Sequence, residues 1–217
     1  MLRHATANML AATLVLGGAA ACGRSTEGVM VPVPPPAGWE DRVVAARAER
    51  DRAMHESPDT PLIPEDLATF TGLDYWSVDS RYRFVGELEA YEHRERFEIP
   101  TTAGALRGCE RYGKVTFALE GKRLTLQVYR LTDTDEDAGL FLPFTDRTSG
   151  IETYPAGRYV DLQGEPGGLY VLDFNEAYNP SCAYGAPERF ACPVTPPENR
   201  LDVRIEAGER GYKKLGS

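Results

Sequence analysis

Two stretches of this chain hold the side chains best suited to bind or transform a ligand. Asp146, Thr148, Glu152, Arg158 and Tyr159 fall in one strand-loop-strand unit. Asp173, Asn175, Tyr178, Asn179, Glu198, Asn199 and Arg200 fall within the run DFNEAYNPSCAYGAPERFACPVTPPENRL, residues 173–201. A connection of that length inside a compact domain is ordinarily functional or stapled. Carboxylates beside an arginine and several amides can hold a loop through a satisfied buried network, or bind a sugar, an amino acid or a small carboxylate. The ligand-binding candidates are Asp146, Arg158, Tyr159, Asp173, Asn175, Tyr178, Asn179, Glu198 and Asn199. The catalytic alternative is a hydrolase that uses Asp173 and Glu198 as acid and base, or Cys182 as nucleophile. A thiolate needs a base in reach, and beyond His4 the chain offers only His55 and His93, neither of them near the loop in sequence.

Cys182 and Cys192 stand ten positions apart in the same proline-rich run. In an oxidising compartment they are expected to form a disulfide, which removes on the order of 2–3 kcal/mol of loop entropy from the unfolded chain. Cys109, in the strand pattern LRGCERY, reads as a small buried apolar residue. There is no CxxC and no histidine pair at ligand spacing, so no metal and no cofactor is predicted. The acidic run Asp133 to Gly139 opens like a calcium loop, but its glycine arrives one position late and Phe144 stands where the closing glutamate belongs. It reads as a solvated turn.

The elements that position these residues are mainly β. WEDRVVAARAERDRAMHE, 39–56, brings Trp39, Val43, Ala46, Arg50 and Ala53-Met54 back at helical spacing. A short helix start follows at Pro64-Glu65-Asp66-Leu67. From Tyr75 the period changes to two. Val115, Phe117 and Leu119 face Leu124, Leu126 and Val128 across Glu120-Gly121-Lys122-Arg123, which predicts a hairpin. Further strands are expected near 82–88, 94–99, 105–112, 139–144, 157–162, 168–174 and 200–206. The pattern predicts a single antiparallel β-sandwich or barrel-like domain with one or two N-terminal helices.

The N-terminus reads as an export signal. Arg3 and His4 precede the apolar run Met9 to Leu16. That run is far shorter than the stretch of apolar helix a membrane span requires. Gly17-Gly18-Ala19-Ala20-Ala21 then leads to Cys22. Small residues ending at a cysteine resemble a lipoprotein lipobox, although Ala19 replaces the usual leucine; the resemblance implies cleavage after 21 and lipidation of Cys22. The expected layout is a signal peptide over 1–21, an anchor and Pro/Gly-rich tether over 22–38, and one β-rich domain over 39–217, exported and held at the bacterial membrane. A formal charge of −9 repels phosphate backbones, so nucleic acid is excluded as a partner.

The strings LFLPFTDRTSGIETYPAGRYVD at 140–161 and 173–201, with the Arg-Ala-Glu-Arg-Asp run at 47–51 and Ser57-Pro58, resemble a bacterial family known as domain of unknown function sixteen eighty-four. The resemblance implies one β-rich domain and carries no established activity. Three functions stay open: a non-catalytic lipoprotein that binds a small polar ligand or an envelope partner, the hydrolase above, and a structural scaffold.

Overall fold

The computed structural model describes residues 28–133, 139–185 and 189–212. The expected signal segment, Cys22 and most of the acidic run after Asp133 lie outside the described residues. Among the described residues eight strands and two α-helices follow in order: β1 (Val29–Pro32), α1 (Trp39–Glu56), α2 (Pro64–Leu67), β2 (Arg83–Gly86), β3 (Glu89–Pro100), β4 (Leu106–Leu119), β5 (Lys122–Leu131), β6 (Leu140–Phe144), β7 (Arg158–Gly164) and β8 (Tyr170–Asp173). The expected helix over 39–56 and the helical turn at 64–67 both form.

Seven strands close a barrel in the order β1-β2-β8-β7-β6-β5-β4, and β3 lies outside it. Closure depends on the length of β4. Its first part pairs antiparallel with β3, from Pro100↔Leu106 to Glu89↔Lys114, and its end pairs parallel with β1 at Thr116 and Phe117. The sheet is therefore mixed rather than wholly antiparallel, and of the two expected architectures it is the barrel. Val29–Pro32, expected in the tether, instead bridges β2 and β4, because Met30 is apolar enough to be buried completely. The β4–β5 hairpin turns on Glu120 and Gly121, whose φ angles of 51° and 74° are both left-handed. Two such positions in succession give a turn that matches the twist of the flanking strands.

Side chains fill the interior of the barrel. Phe84, Phe117, Phe144 and Phe174 pack with ring centroids 4.9–6.3 Å apart, together with Met30, Leu126, Val128 and Leu172. Among the described residues no helix is long and apolar enough to cross a membrane.

Residues 200–206, expected as a strand, form only an isolated bridge at Thr145↔Arg200. Two side chains occupy the backbone groups of Ile205. The Arg158 guanidinium, fully buried, donates to the carbonyls of Ala207 (2.6 Å), Ile205 (2.9 Å) and Glu209 (3.1 Å). Of these acceptors only the Ile205 carbonyl lies within 200–206, and the Ile205 amide is taken by Asp146. Gly208, in the left-handed region, makes the close approach possible, because a Cβ there would stand 2.6 Å from the carbonyl oxygens of Phe174 and Ala177. Only glycine combines that backbone conformation with the absence of a side chain.

Candidate functional site

Most of the polar constellation expected to meet a ligand is bound to the chain itself. Asp146, just past β6, takes Thr148 Oγ1 (2.8 Å), Ser149 Oγ (3.2 Å) and the Ile205 amide (2.6 Å), with Arg158 at 3.7 Å. Asp173 closes β8 by accepting from the Trp39 indole (2.8 Å) and the Asn175 side chain (2.8 Å). Asn175 brackets Asp79, accepting from its amide at 2.8 Å and donating to its carbonyl at 2.9 Å. Asn199 substitutes for a missing ladder: β5 and β6 share one registered pair, Tyr129↔Phe141, and the Asn199 amide bonds Gln127 N–H, Gln127 C=O and Pro143 C=O. Glu198 is exposed and accepts from Arg111 (2.7 Å) and Tyr129 (3.0 Å). Asp173 and Glu198 are thus held by separate partners.

A second buried network joins α1 to the chain end. Glu209, with no exposed surface, receives the Asn179 side chain (2.8 Å), the Asn179 amide (3.2 Å), Arg50 Nε (3.3 Å) and the Tyr184 hydroxyl. Sequence reasoning missed Glu209, which reads as one more solvated charge in a polar tail. Arg50 did leave a signal, since it is the one cation on the apolar stripe of α1.

The expected disulfide is corrected. Cys182, Cys192 and Cys109 are free thiols, and Cys192 Sγ accepts the Cys182 amide at 3.2 Å. The loop is fastened without a bridge. Thr102 N–H bonds Cys192 C=O (3.0 Å), Val194 N–H bonds Pro100 C=O (2.9 Å), and the Tyr159 hydroxyl bonds Pro193 C=O. The hydrogen bond between the thiols holds Cys182 below the ordinary range and, with burial, pushes Cys192 above it. Besides Cys192, the polar neighbours of Cys182 Sγ are Thr102 and the Tyr154 hydroxyl, the latter 3.8 Å away. Burial and the thiol push the Tyr154 phenol up, so it is a donor to the sulfur and not a general base. Cys182 is also only 4% exposed.

Three of the expected residues, Tyr159, Tyr178 and Asn179, do line an open space, a cleft of about 410 Å³ between α1, β7 and the loop that carries Cys192. Phe141, Tyr159, Tyr178 and Phe190 contribute rings to it, with centroids 5.8 Å apart for Phe141–Tyr159 and 5.9 Å for Tyr159–Tyr178. Arg50 and Arg107 supply cations already matched by Glu209 and by Asp133, the latter through two bonds of 2.9 and 3.0 Å. Arg50 also lies 4.9 Å from the Tyr178 ring centroid. Asp161 is different: its Oδ1 accepts from Tyr178 at 3.0 Å, and among the described residues no cation bonds it. Although Asp161 reaches solvent, the walls around it desolvate its carboxyl and raise it, against the Tyr178 bond and the Arg50 charge.

The family model described as "Protein of unknown function (DUF1684)" matches residues 68–210. The chain belongs to this family. An uncharacterised protein of Haloarcula marismortui, solved by solution NMR, is 35% identical, with a TM-score of 0.62 over 79% of this chain and 94% of that one. No curated protein matches. The DUF1684 match spans the barrel from just past α2 to the Glu209 network, so it takes in β2 to β8 and most of the cleft lining, whereas Arg50 on α1 lies before it.

Proposed function

We propose that this DUF1684 protein is a non-catalytic binding module, and that its ligand is a small polar molecule with a flat face and a hydrogen-bond donor. The observation that carries the reading is the Asp161 carboxylate, left without a cation in a cleft walled by four aromatic rings, where a donor on the ligand would complete it. The residues that sequence alone offered for acid-base work are consumed by structural bonds, and no histidine lines the cleft. Binding is therefore better supported than hydrolysis.

The test is a thermal-shift screen of the full chain against sugars, amino acids, amines and nucleosides. A binder at about 100 times its Kd raises the melting temperature by roughly 5–10 °C. Asp161→Asn and Tyr178→Ala should each remove most of that shift, and Asp161→Asn should leave the ligand-free melting temperature within about 3 °C of wild type, which separates lost binding from lost folding. If no compound shifts the protein, or the variants shift as wild type does, the cleft reading fails and a scaffold role takes its place.

The module would act outside the cytoplasm, tied to the membrane through a lipid on Cys22. With β1 starting at Val29, only Gly23 to Gly28 separate that anchor from the barrel, which would keep the cleft close to the bilayer. Cys22→Ser should move the protein from the membrane to the soluble fraction on cell fractionation. Equal fractionation of the two forms would rule the anchor out.

A further inference from the structure

Charge and strand register narrow the kind of ligand that the aromatic cleft takes. Asp161 on β7 stands directly opposite Phe141 of β6, and Tyr159 lies two residues along β7 on the same face. Side chains so placed on one face of a sheet are neighbours. Phe141 meets Tyr159 at 66° and Tyr159 meets Tyr178 at 81°, so successive rings form adjoining walls beside the carboxylate and not one flat surface. These groups are within reach of a ligand: Asp161 is exposed, and Phe141 and Tyr159 line the cleft with 8% of their surface open.

Three charged residues line the cleft: Arg50, Arg107 and Asp161. Arg50 is spent on Glu209, the Asn179 carbonyl and the Tyr184 hydroxyl, and Arg107 on Asp133. Each cation has its own acid, and the Asp161 charge is left over. Its surroundings add to that sign. Burial, then the charges of Asp173 and Asp161, raise the neighbouring Glu176 carboxyl against the pull of Arg83 and Arg42. What the cleft lacks is a positive charge.

The rings agree with that sign, because a π face attracts a cation and a guanidinium also stacks flat upon it. Two of the four rings already carry one: Arg50 lies 4.9 Å from the Tyr178 centroid, and Arg189, exposed and not part of the cleft lining, lies 5.3 Å from that of Phe190. Among the described residues no cation stacks on Phe141 or Tyr159, the two rings beside Asp161 in the sheet. Tyr178 uses one lone pair of Asp161 Oδ1, and a carboxylate offers about four, so a two-pronged donor can still be accepted. A guanidinium combines a flat face, a permanent charge and a donor edge that matches a carboxylate.

We propose that the cleft binds a small molecule through a guanidinium group, which forks onto the Asp161 carboxylate and lies against the Phe141 and Tyr159 rings. The assignment rests on the binding reading above and narrows its ligand class. The cleft volume of about 410 Å³ leaves room for a short chain beyond the group.

Amide chemical-shift titration of the full chain with butylguanidinium tests it, with butylurea and pentylammonium as controls. Butylurea keeps the plane and the N–H donors without the charge; pentylammonium keeps the charge without the plane. Butylguanidinium should give saturable shifts centred on Tyr159, Asp161 and Tyr178. Butylurea should bind about tenfold more weakly, the difference between a charged and a neutral hydrogen-bonded pair, and pentylammonium should also bind more weakly than butylguanidinium. In Asp161→Asn the advantage of butylguanidinium over butylurea should vanish. Failure of butylguanidinium to saturate, equal binding of either control in wild type, or an unchanged preference in Asp161→Asn would each overturn the assignment. The two readings fail separately. If butylguanidinium does not bind but a sugar or nucleoside does, and Asp161→Asn loses it, only the guanidinium assignment falls; if nothing binds, both fall. The comparison of the three probes requires no variant, so it stands even if Asp161→Asn fails to fold.

Discussion

Arg158→Met is expected to cost about 3–5 kcal/mol and to lower the melting temperature by on the order of 10 °C. Methionine is close enough in volume to fill the site between Phe144 and Trp76, whose ring centroids lie 5.1 and 5.3 Å from the guanidinium carbon. The loss is therefore one of hydrogen bonds and not of packing. Three carbonyls, of Ile205, Ala207 and Glu209, would be buried without a donor, and Asp146 would lose its cation. Burial pulls the guanidinium down to about 10, with Asp146 and Glu209 opposing, so it is still charged at neutral pH and still donates. Arg158→Lys should be nearly as damaging, because a single ammonium cannot span acceptors that a planar fork reaches together. Urea denaturation followed by tryptophan fluorescence measures both. A loss below about 1 kcal/mol for Arg158→Met would mean that the terminal segment is held by something else.

Glu209→Ala should be of similar size, about 3–5 kcal/mol, because it strands Arg50, the Asn179 amide groups and the Tyr184 hydroxyl in a buried site. The pair also gives the protein a pH response of definite sign. Burial raises the Glu209 carboxyl, against the pull of Arg50, Tyr184 and Asn179. Burial lowers the Arg50 guanidinium, but Tyr184 and Glu209 together outweigh it and hold the side chain protonated. The two tendencies conflict over whether the carboxylate is favoured. Burial decides, because Glu209 is wholly enclosed and Arg50 reaches it through one contact of 3.3 Å. Burial likewise raises Asp161 and Glu176.

A carboxyl raised on folding binds more protons folded than unfolded. Its contribution is present at low pH and is lost as pH climbs through the raised value. Asp79, Asp133 and Asp202 run the other way: hydrogen bonds from Arg81, Arg107 and Arg147 lower them. Their support fades only below the usual aspartate range of about 3.9. Stability should therefore rise as pH falls from neutral toward the ordinary carboxylate range of about 4, with a shallower slope in Glu209→Gln. Denaturation midpoints across that range decide the matter. A wild-type midpoint that climbs steadily toward the alkaline end would contradict the burial argument.

How far each feature was legible in the sequence depends on the range of the interaction that sets it. α1, α2 and the β4–β5 hairpin are local: helical spacing in 39–56, proline at the start of α2 and a glycine between two alternating runs carry their own instructions. β1 was hidden because a short segment among prolines has no visible period, and only the open edges of β2 and β4 recruit it. The strand expected at 200–206 had the right alternation, yet the Arg158 side chain took the Ile205 carbonyl and Asp146 took the Ile205 amide. Alternation specifies which faces are buried and says nothing about which donor arrives.

For the site, composition alone picked out the residues that matter to the fold. Asp146, Arg158, Asp173, Asn175, Asn179 and Asn199 are all buried and bonded, as polar groups with many lone pairs and protons must be when a loop is packed against a barrel. Whether such groups face a ligand or the chain itself is a matter of a few ångströms between segments far apart in sequence. The loop over 173–201 is tied to the barrel through Cys192, Pro193 and Val194. Only the tertiary structure moved the open space to Asp161 and its aromatic walls. A cavity is defined by what surfaces fail to meet, and no local pattern records that.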